Sequence, residues 1–230
     1  MTEKTSADGF VLAGGKSSRM GRDKALVELG GRPLIVYALD ALRGAGLQPR
    51  IAGARSDLSA FAPVIADRDA DVGPLAGICA ALAASEAERA VFLSVDMPLM
   101  PASLIAYLAW DAAVTGRMVT LASVNGFPQT FPAVVRRAAL RSLEGELHGG
   151  RAGCFAGFRA AAAHASETAR VIAAEALAQT GQARDPRGLH AARWFQNVNS
   201  PEELGRVEGW LRSRTSRRDG PGASKYSGIA

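Results

Sequence analysis

Gly9-Phe-Val-Leu-Ala-Gly-Gly-Lys-Ser-Ser-Arg-Met-Gly-Arg-Asp-Lys24 is the stretch on which the fold turns. Gly9 to Ala13 is a short apolar run ending at glycines, the pattern of a buried parallel strand that opens into a loop. Pro33 to Ala45 then carries apolar residues at helical spacing (Leu34, Tyr37, Ala38, Ala41, Leu42), and Gly46 supplies a C-terminal stop. Arg50 to Ala54 and Pro63 to Ala66 read as short strands, Pro74 to Ala84 as a helix, and Ala90 to Val95 as a buried strand ending at Asp96. This alternation predicts an α/β, three-layer Rossmann-like fold: a mainly parallel central sheet with helices on both faces. Right-handed crossovers put the loops after the strands on one edge, and ligands bind there.

Further along, Ala102 to Ala113 reads as a helix, Met118 to Ser123 as a strand and Gln129 to Val135 as another, running antiparallel. Alanine-rich Ala156 to Ala165 and Ala173 to Gln179 favour helix, and Arg193 to Val198 has a strand-like pattern. Ser200, Pro201 and Glu203 then spell a capping box with proline at the first helical position. The fold is expected to end near Leu211, giving one domain over residues 1–212. Residues 213–230, rich in Ser, Gly, Arg and Pro, read as a disordered basic tail, either solubilising or able to dock an anionic partner.

The tail matters for the charge. The 230 residues carry a formal net charge of +5, but from Arg212 onward five cations face the single anion Asp219, so the body is nearly neutral. That excludes a basic nucleic-acid-binding face. With 48% hydrophobic and 21% charged residues the chain has an ordinary globular composition. Its two cysteines, Cys79 and Cys154, fit no metal spacing and are too few for a disulfide framework. The polar N-terminus and the lack of long apolar runs predict no membrane span and a cytoplasmic address.

In the loop after the first strand, Gly14 and Gly15 remove Cβ obstruction so that backbone N–H groups can crowd a phosphate. Lys16, Arg19 and Lys24 bring the positive charge that a triphosphate and a departing pyrophosphate require, with Lys24 the leading candidate. Two better-known phosphate motifs fail on position. A P-loop ending at Gly15-Lys16-Ser17 would need glycine where Phe10 stands, and a dinucleotide fingerprint from Gly14 would need glycine where Lys16 stands.

Val91-Phe-Leu-Ser-Val-Asp-Met-Pro98 sets a carboxylate at the end of a buried strand, where it costs energy unless paired. A Mg²⁺ bridging Asp96 to phosphate oxygens would remove that cost; capping the next helix is the plainer alternative. Asp67, before Gly73-Pro-Leu-Ala-Gly77, can accept from ribose hydroxyls or a guanine edge, or simply stabilise its own turn. Asn197 and Asn199 share one face of a strand end, and Asn199 can either complete a metal site through its amide oxygen or hold the turn. His148, His164 and His190 show no ligand or triad spacing and read as surface or helix residues.

Taken in order, the LAGGKSSRMGRDK loop, the Asp67 and GPLAG segment, VDMP and NVNSPEEL resemble the molybdenum cofactor guanylyltransferases over residues 12–204. The resemblance implies GTP and Mg²⁺, nucleotide contacts at Leu12, Ala13 and Gly14, GTP binding by Lys24 and Asp67, and a nucleotide and metal role for Asp96. It implies GMP transfer from GTP to the terminal phosphate of molybdopterin, with loss of pyrophosphate. A molybdoenzyme or a cofactor-insertion protein would then receive the product. Use of CTP or another triphosphate, on molybdopterin or another small phosphate or sugar phosphate, is the alternative within the superfamily. A silent nucleotide-binding module is the alternative outside it. The chain departs from the family near Gly53, where an asparagine is frequent at the end of the second strand, and over Asn125 to Arg159, where Phe127-Pro-Gln-Thr-Phe131 replaces a Gln-Pro-Leu run and Gly149-Gly-Arg-Ala-Gly-Cys154 is unusual.

Overall fold

A computed structural model describes residues 7–14, 23–65, 73–151 and 153–218. In chain order it contains β1 (Ala7–Leu12), the hairpin strands β2 (Glu28–Leu29) and β3 (Arg32–Pro33), α1 (Leu34–Gly44), β4 (Pro49–Ala52) and β5 (Val64–Ile65). Next come α2 (Pro74–Ala83), β6 (Arg89–Ser94), α3 (Ala102–Thr115), β7 (Val119–Val124) and β8 (Phe127–Arg136). The remainder is α4 (Leu140–His148), α5 (Cys154–His164), β9 (Arg170–Ala173), α6 (Ala174–Thr180), α7 (Ala191–Trp194) and α8 (Pro201–Arg218).

Seven strands form one sheet in the order β5-β4-β1-β6-β8-β7-β9, in which β8 alone runs against the others. The chain leaves β1 for β4 and β5 on one side, then returns to β6 on the other. The crevice above the C-terminal ends of β1 and β6 is therefore the switch point at which open α/β sheets bind ligands.

Both faces of these central strands are covered, which is why they read as continuous apolar runs. Val11 on β1 and Val91 and Leu93 on β6 face one core with α1, α3 and α6, while Phe10, Leu12 and Phe92 face a second core with α2, α4 and α5. Phe10 and Phe92 stack across the strand pair at 5.5 Å between centroids. Full burial of each such ring is worth about 2–3 kcal/mol, and either replaced by Ala would leave a void in the α2 core. Helix α1 stops where expected: Gly46 takes φ +83°, its N–H donates to Arg43 O (2.9 Å) and Leu47 N–H donates to Leu42 O (3.1 Å), a Schellman end.

The antiparallel strand follows from the turn at Asn125 (φ 52°) and Gly126 (φ 79°), whose left-handed pair is the hairpin geometry that matches strand twist. One expectation is overturned. Residues Arg193 to Val198 are not a strand. Ala191–Trp194 is a helical turn in which His190 accepts from Ala192 N–H and the buried Trp194 indole donates to Leu189 O (2.9 Å). The segment after this turn joins no ladder; Val198 N–H donates to Asp96 O (2.9 Å) just beyond β6, and the period-two pattern reflects burial of Trp194 and Val198 in the first core. The hairpin β2–β3, the edge strand β9 and the polar helix α4 had no clear sequence signal. Helix α8 runs past Leu211 to Arg218, so residues 213–218 of the expected disordered tail are helical; residues 219–230 lie outside the described residues. Among the described residues, no helix is long and apolar enough to cross a membrane.

Candidate active site

The site is assembled at the β1/β6 crevice from three chain segments. Leu12 is held in register by its carbonyl, which accepts from Val95 N–H (3.2 Å), and Ala13 N–H donates to Ala52 O (3.3 Å). Gly14 therefore leaves the sheet at a fixed point. Among the described residues, a Cβ added there would meet nothing within 4 Å, so its backbone faces open space.

Gly53, at the end of β4, has φ +141°, and a Cβ on it would press to 3.2 Å from Gly14 N. Glycine at this position is thus favoured by the approach of the two strand-end loops.

Lys24 begins a 3-10 turn capped by Asp23, whose Oδ1 accepts from Ala25 N–H (2.9 Å). That turn aims the lysine back over the crevice. Its Nζ donates to Asp96 Oδ2 at 2.7 Å and also to Asn199 Oδ1. The side chains of Lys24 and Asp96 are 21% and 14% exposed, so the pair sits in a partly desolvated cleft where charge interactions are stronger than on the surface. Asp96 Oδ1 is buried and has no hydrogen-bond partner among the described residues, which is costly for a carboxylate.

Asn199 reaches this point because of the helix behind it. Ser200 Oγ accepts from Glu203 N–H (3.3 Å), while the Glu203 carboxylate accepts from Asn199 N–H (2.6 Å) rather than from Ser200. The capping box is displaced by one residue and locks the asparagine backbone. Sequence spacing found these residues; it could not show that they belong beside Lys24.

Of the expected site residues, Leu12, Ala13, Gly14, Lys24, Asp96 and Asn199 come together at one edge. Gly15, Lys16, Arg19 and Asp67 lie outside the described residues. The histidines do what surface residues do: His190 caps a turn and His164 contacts Ser142 Oγ and Ala160 O. Two residues that reach the site's supports were missed. Arg55 bonds both Ala13 and Asp23, and Arg187, clasped by the buried Asp185, donates to Leu99 O (2.8 Å) in the loop after Asp96. Nothing in their local spacing separates them from other surface arginines.

As for a metal, Asp96 and Asn199 present hard oxygens, and Asp96 Oδ1 needs a partner; Mg²⁺ is held by one or two carboxylates plus substrate phosphates, so these residues fit it. Among the described residues, no group of three or more His, Cys, Asp or Glu side chains is placed to hold a metal ion by itself.

A cation and hard oxygen donors at the switch point of a parallel sheet serve phosphoryl chemistry, and the class they define is the α/β nucleotidyltransferases. Comparison with known proteins narrows this. Residues 9–160 match the model of the MobA-like NTP transferase domain. The chain belongs to that family, among the molybdenum cofactor guanylyltransferases. It is 34% identical over 218 residues to the molybdenum cofactor guanylyltransferase of Rhizobium meliloti, covering 87% of this chain and 90% of that one. A probable molybdenum cofactor guanylyltransferase of Haloferax mediterranei is 30% identical over 210 residues, covering 87% and 92%. The fold matches the crystal structure of molybdopterin-guanine dinucleotide biosynthesis protein A from Archaeoglobus fulgidus with TM-score 0.71 at 22% identity, covering 90% of this chain and 99% of that one.

Proposed function

We propose that this chain transfers GMP from GTP to the terminal phosphate of molybdopterin, releasing pyrophosphate and forming the guanine dinucleotide cofactor. The observation that carries the reading is the convergence of Lys24 Nζ on Asp96 Oδ2 and Asn199 Oδ1 above the β1/β6 crevice. Family membership supplies the substrate pair.

The acceptor phosphate is already ionised at neutral pH, so the reaction needs no protein nucleophile and no general base. It needs two anions held in line and their charge offset. The Gly14 backbone admits the triphosphate, with Leu12 and Ala13 lining its approach, and Gly15 is assigned to the same phosphate contact. Lys24 carries its charge on a flexible stem, within reach of Asp96 and of phosphate oxygens alike. Lys16 and Arg19 add charge as pyrophosphate leaves, and Asp67 accepts from ribose or guanine. Asp96 and Asn199 would hold Mg²⁺, which when bound supplies charge neutralisation at the phosphate oxygens. The enzyme is expected to work in the cytoplasm and to pass its product to a molybdoenzyme or a cofactor-insertion protein.

The test is transfer from each of four α-labelled nucleoside triphosphates to molybdopterin, with the product identified by mass spectrometry. GTP should give the dinucleotide and pyrophosphate in equal amounts. Success with CTP and failure with GTP would replace the base assignment, and GTP binding without pyrophosphate release would replace the enzyme by a binding module.

A further inference from the structure

The geometry points to Arg55 as a positioning residue that sets Lys24 by tying together the two chain ends flanking residues 15–22. Its guanidinium has five N–H donors, and all of them are engaged. Nε donates to Asp57 Oδ1 (2.9 Å) and Nη2 to Asp57 Oδ2 (2.7 Å). Nη2 also donates to Asp23 Oδ2, while Nη1 donates to Asp23 Oδ1 (3.2 Å) and to Ala13 O (3.3 Å).

Ala13 is the last residue before Gly14, and Asp23 is the cap of the turn that begins at Lys24. Arg55 therefore bonds the exit from β1 and the entry to the Lys24 turn with one rigid group. A fork with no donor left over is a brace and not a phosphate ligand. The brace has its own anchor. Asp57 lies in the 3-10 turn Ser56–Leu58, and Leu58 is fully buried in the core under α1. Gly53, two residues earlier, lets this loop close on Gly14, and Gly53 O accepts from Arg55 N–H (2.9 Å). The hydrogen bond to Asp57, with Asp23 adding to it, raises the guanidinium above its ordinary value, so the brace stays charged at any working pH.

The inference rests on the triphosphate reading of Lys24. It is tested by calorimetric titration of the full chain with GTP and Mg²⁺, alongside thermal unfolding. Arg55→Ala should weaken binding about tenfold or more, whereas in a Lys24→Ala background the same change should matter less than about twofold, because residues acting through one another are not additive. Arg55→Lys should fail to restore binding, since an ammonium cannot reproduce the fork. Asp23→Asn keeps a good helix cap but loses the charge pair, and should show a smaller loss if Arg55→Ala proves too unstable to assay. Equal losses in the Lys24 and Lys24→Ala backgrounds, or tight binding by Arg55→Ala, would overturn the positioning role. A wild-type chain that binds no GTP would instead overturn the functional reading beneath it.

Discussion

Two carboxylates lie in partly or fully buried positions at opposite parts of the sheet, and they are finished differently. Asp111 on α3, 3% exposed, is closed by Arg170 of the edge strand β9: Nη2 donates to Oδ1 (2.7 Å) and Nε to Oδ2. Asp96, above the β1/β6 crevice, receives Lys24 on one oxygen and leaves the other buried without a partner among the described residues. A carboxylate whose job is to hold two elements together is satisfied by a planar fork. Asp96, proposed above to meet a ligand, is left incomplete and keeps an ammonium in place of a rigid guanidinium.

The largest effect should come from the incomplete site. Asp96→Ala is expected to lower pyrophosphate release at least about a thousandfold, an interaction of roughly 4 kcal/mol with the transition state. Its thermal midpoint should change little, because loss of the Lys24 pair is offset by removal of a buried unpartnered oxygen. Retained turnover, or loss of folding, would make Asp96 a second Asp111.

Arg170→Ala should do the reverse. It strands Asp111 in the interior, and breaking a buried pair costs about 3–5 kcal/mol; because Arg170 keeps 40% of its side chain in water, about 2 kcal/mol is the expected loss in a urea titration. Turnover under folding conditions should stay at the wild-type level. A selective fall in turnover would mean that the β9 edge takes part in the reaction.

Glu203→Ala sits between the two, since its carboxylate serves a helix cap and holds Asn199 N–H. About 1 kcal/mol of stability should go with the cap, together with a several-fold fall in kcat/KM measured for GTP. A stability change with unaltered kinetics would detach Asn199 from the site.

The smallest effect is expected at a buried ionisable group with no task. Burial pushes the Cys154 thiol up to about 12, so it stays protonated across the neutral range and lacks the thiolate that reacts. Iodoacetamide at about pH 8, where an ordinary thiol is partly ionised, should label Cys154 only after denaturation, as read by peptide mass spectrometry. Labelling of the native chain would show that this core opens.

Local pattern made much of this legible. Apolar runs ending at glycine and aspartate revealed β1 and β6, Gly46 marked the end of α1, and Ser200, Pro201 and Glu203 marked the start of α8, because each depends on neighbours within a turn. Arg193 to Val198 misled because alternation reports alternate burial, which a helical turn leading into an irregular segment also produces. Strand β9 was hidden by exposure on an edge, and α4 by its polarity. Arg55 was invisible, since its three partners stand at Ala13, Asp23 and Asp57, two of them remote in the chain.

The residue types that phosphate chemistry requires, and the strand ends on which they sit, were thus determined by the order of amino acids alone, because backbone conformation and apolar periodicity are local quantities. Which of those residues meet was decided only by the crossover that places β6 beside β1 and by the backbone bond from Val198 to Asp96. Contact between Lys24 and Asn199 spans most of the folded chain, and no local rule carries that information.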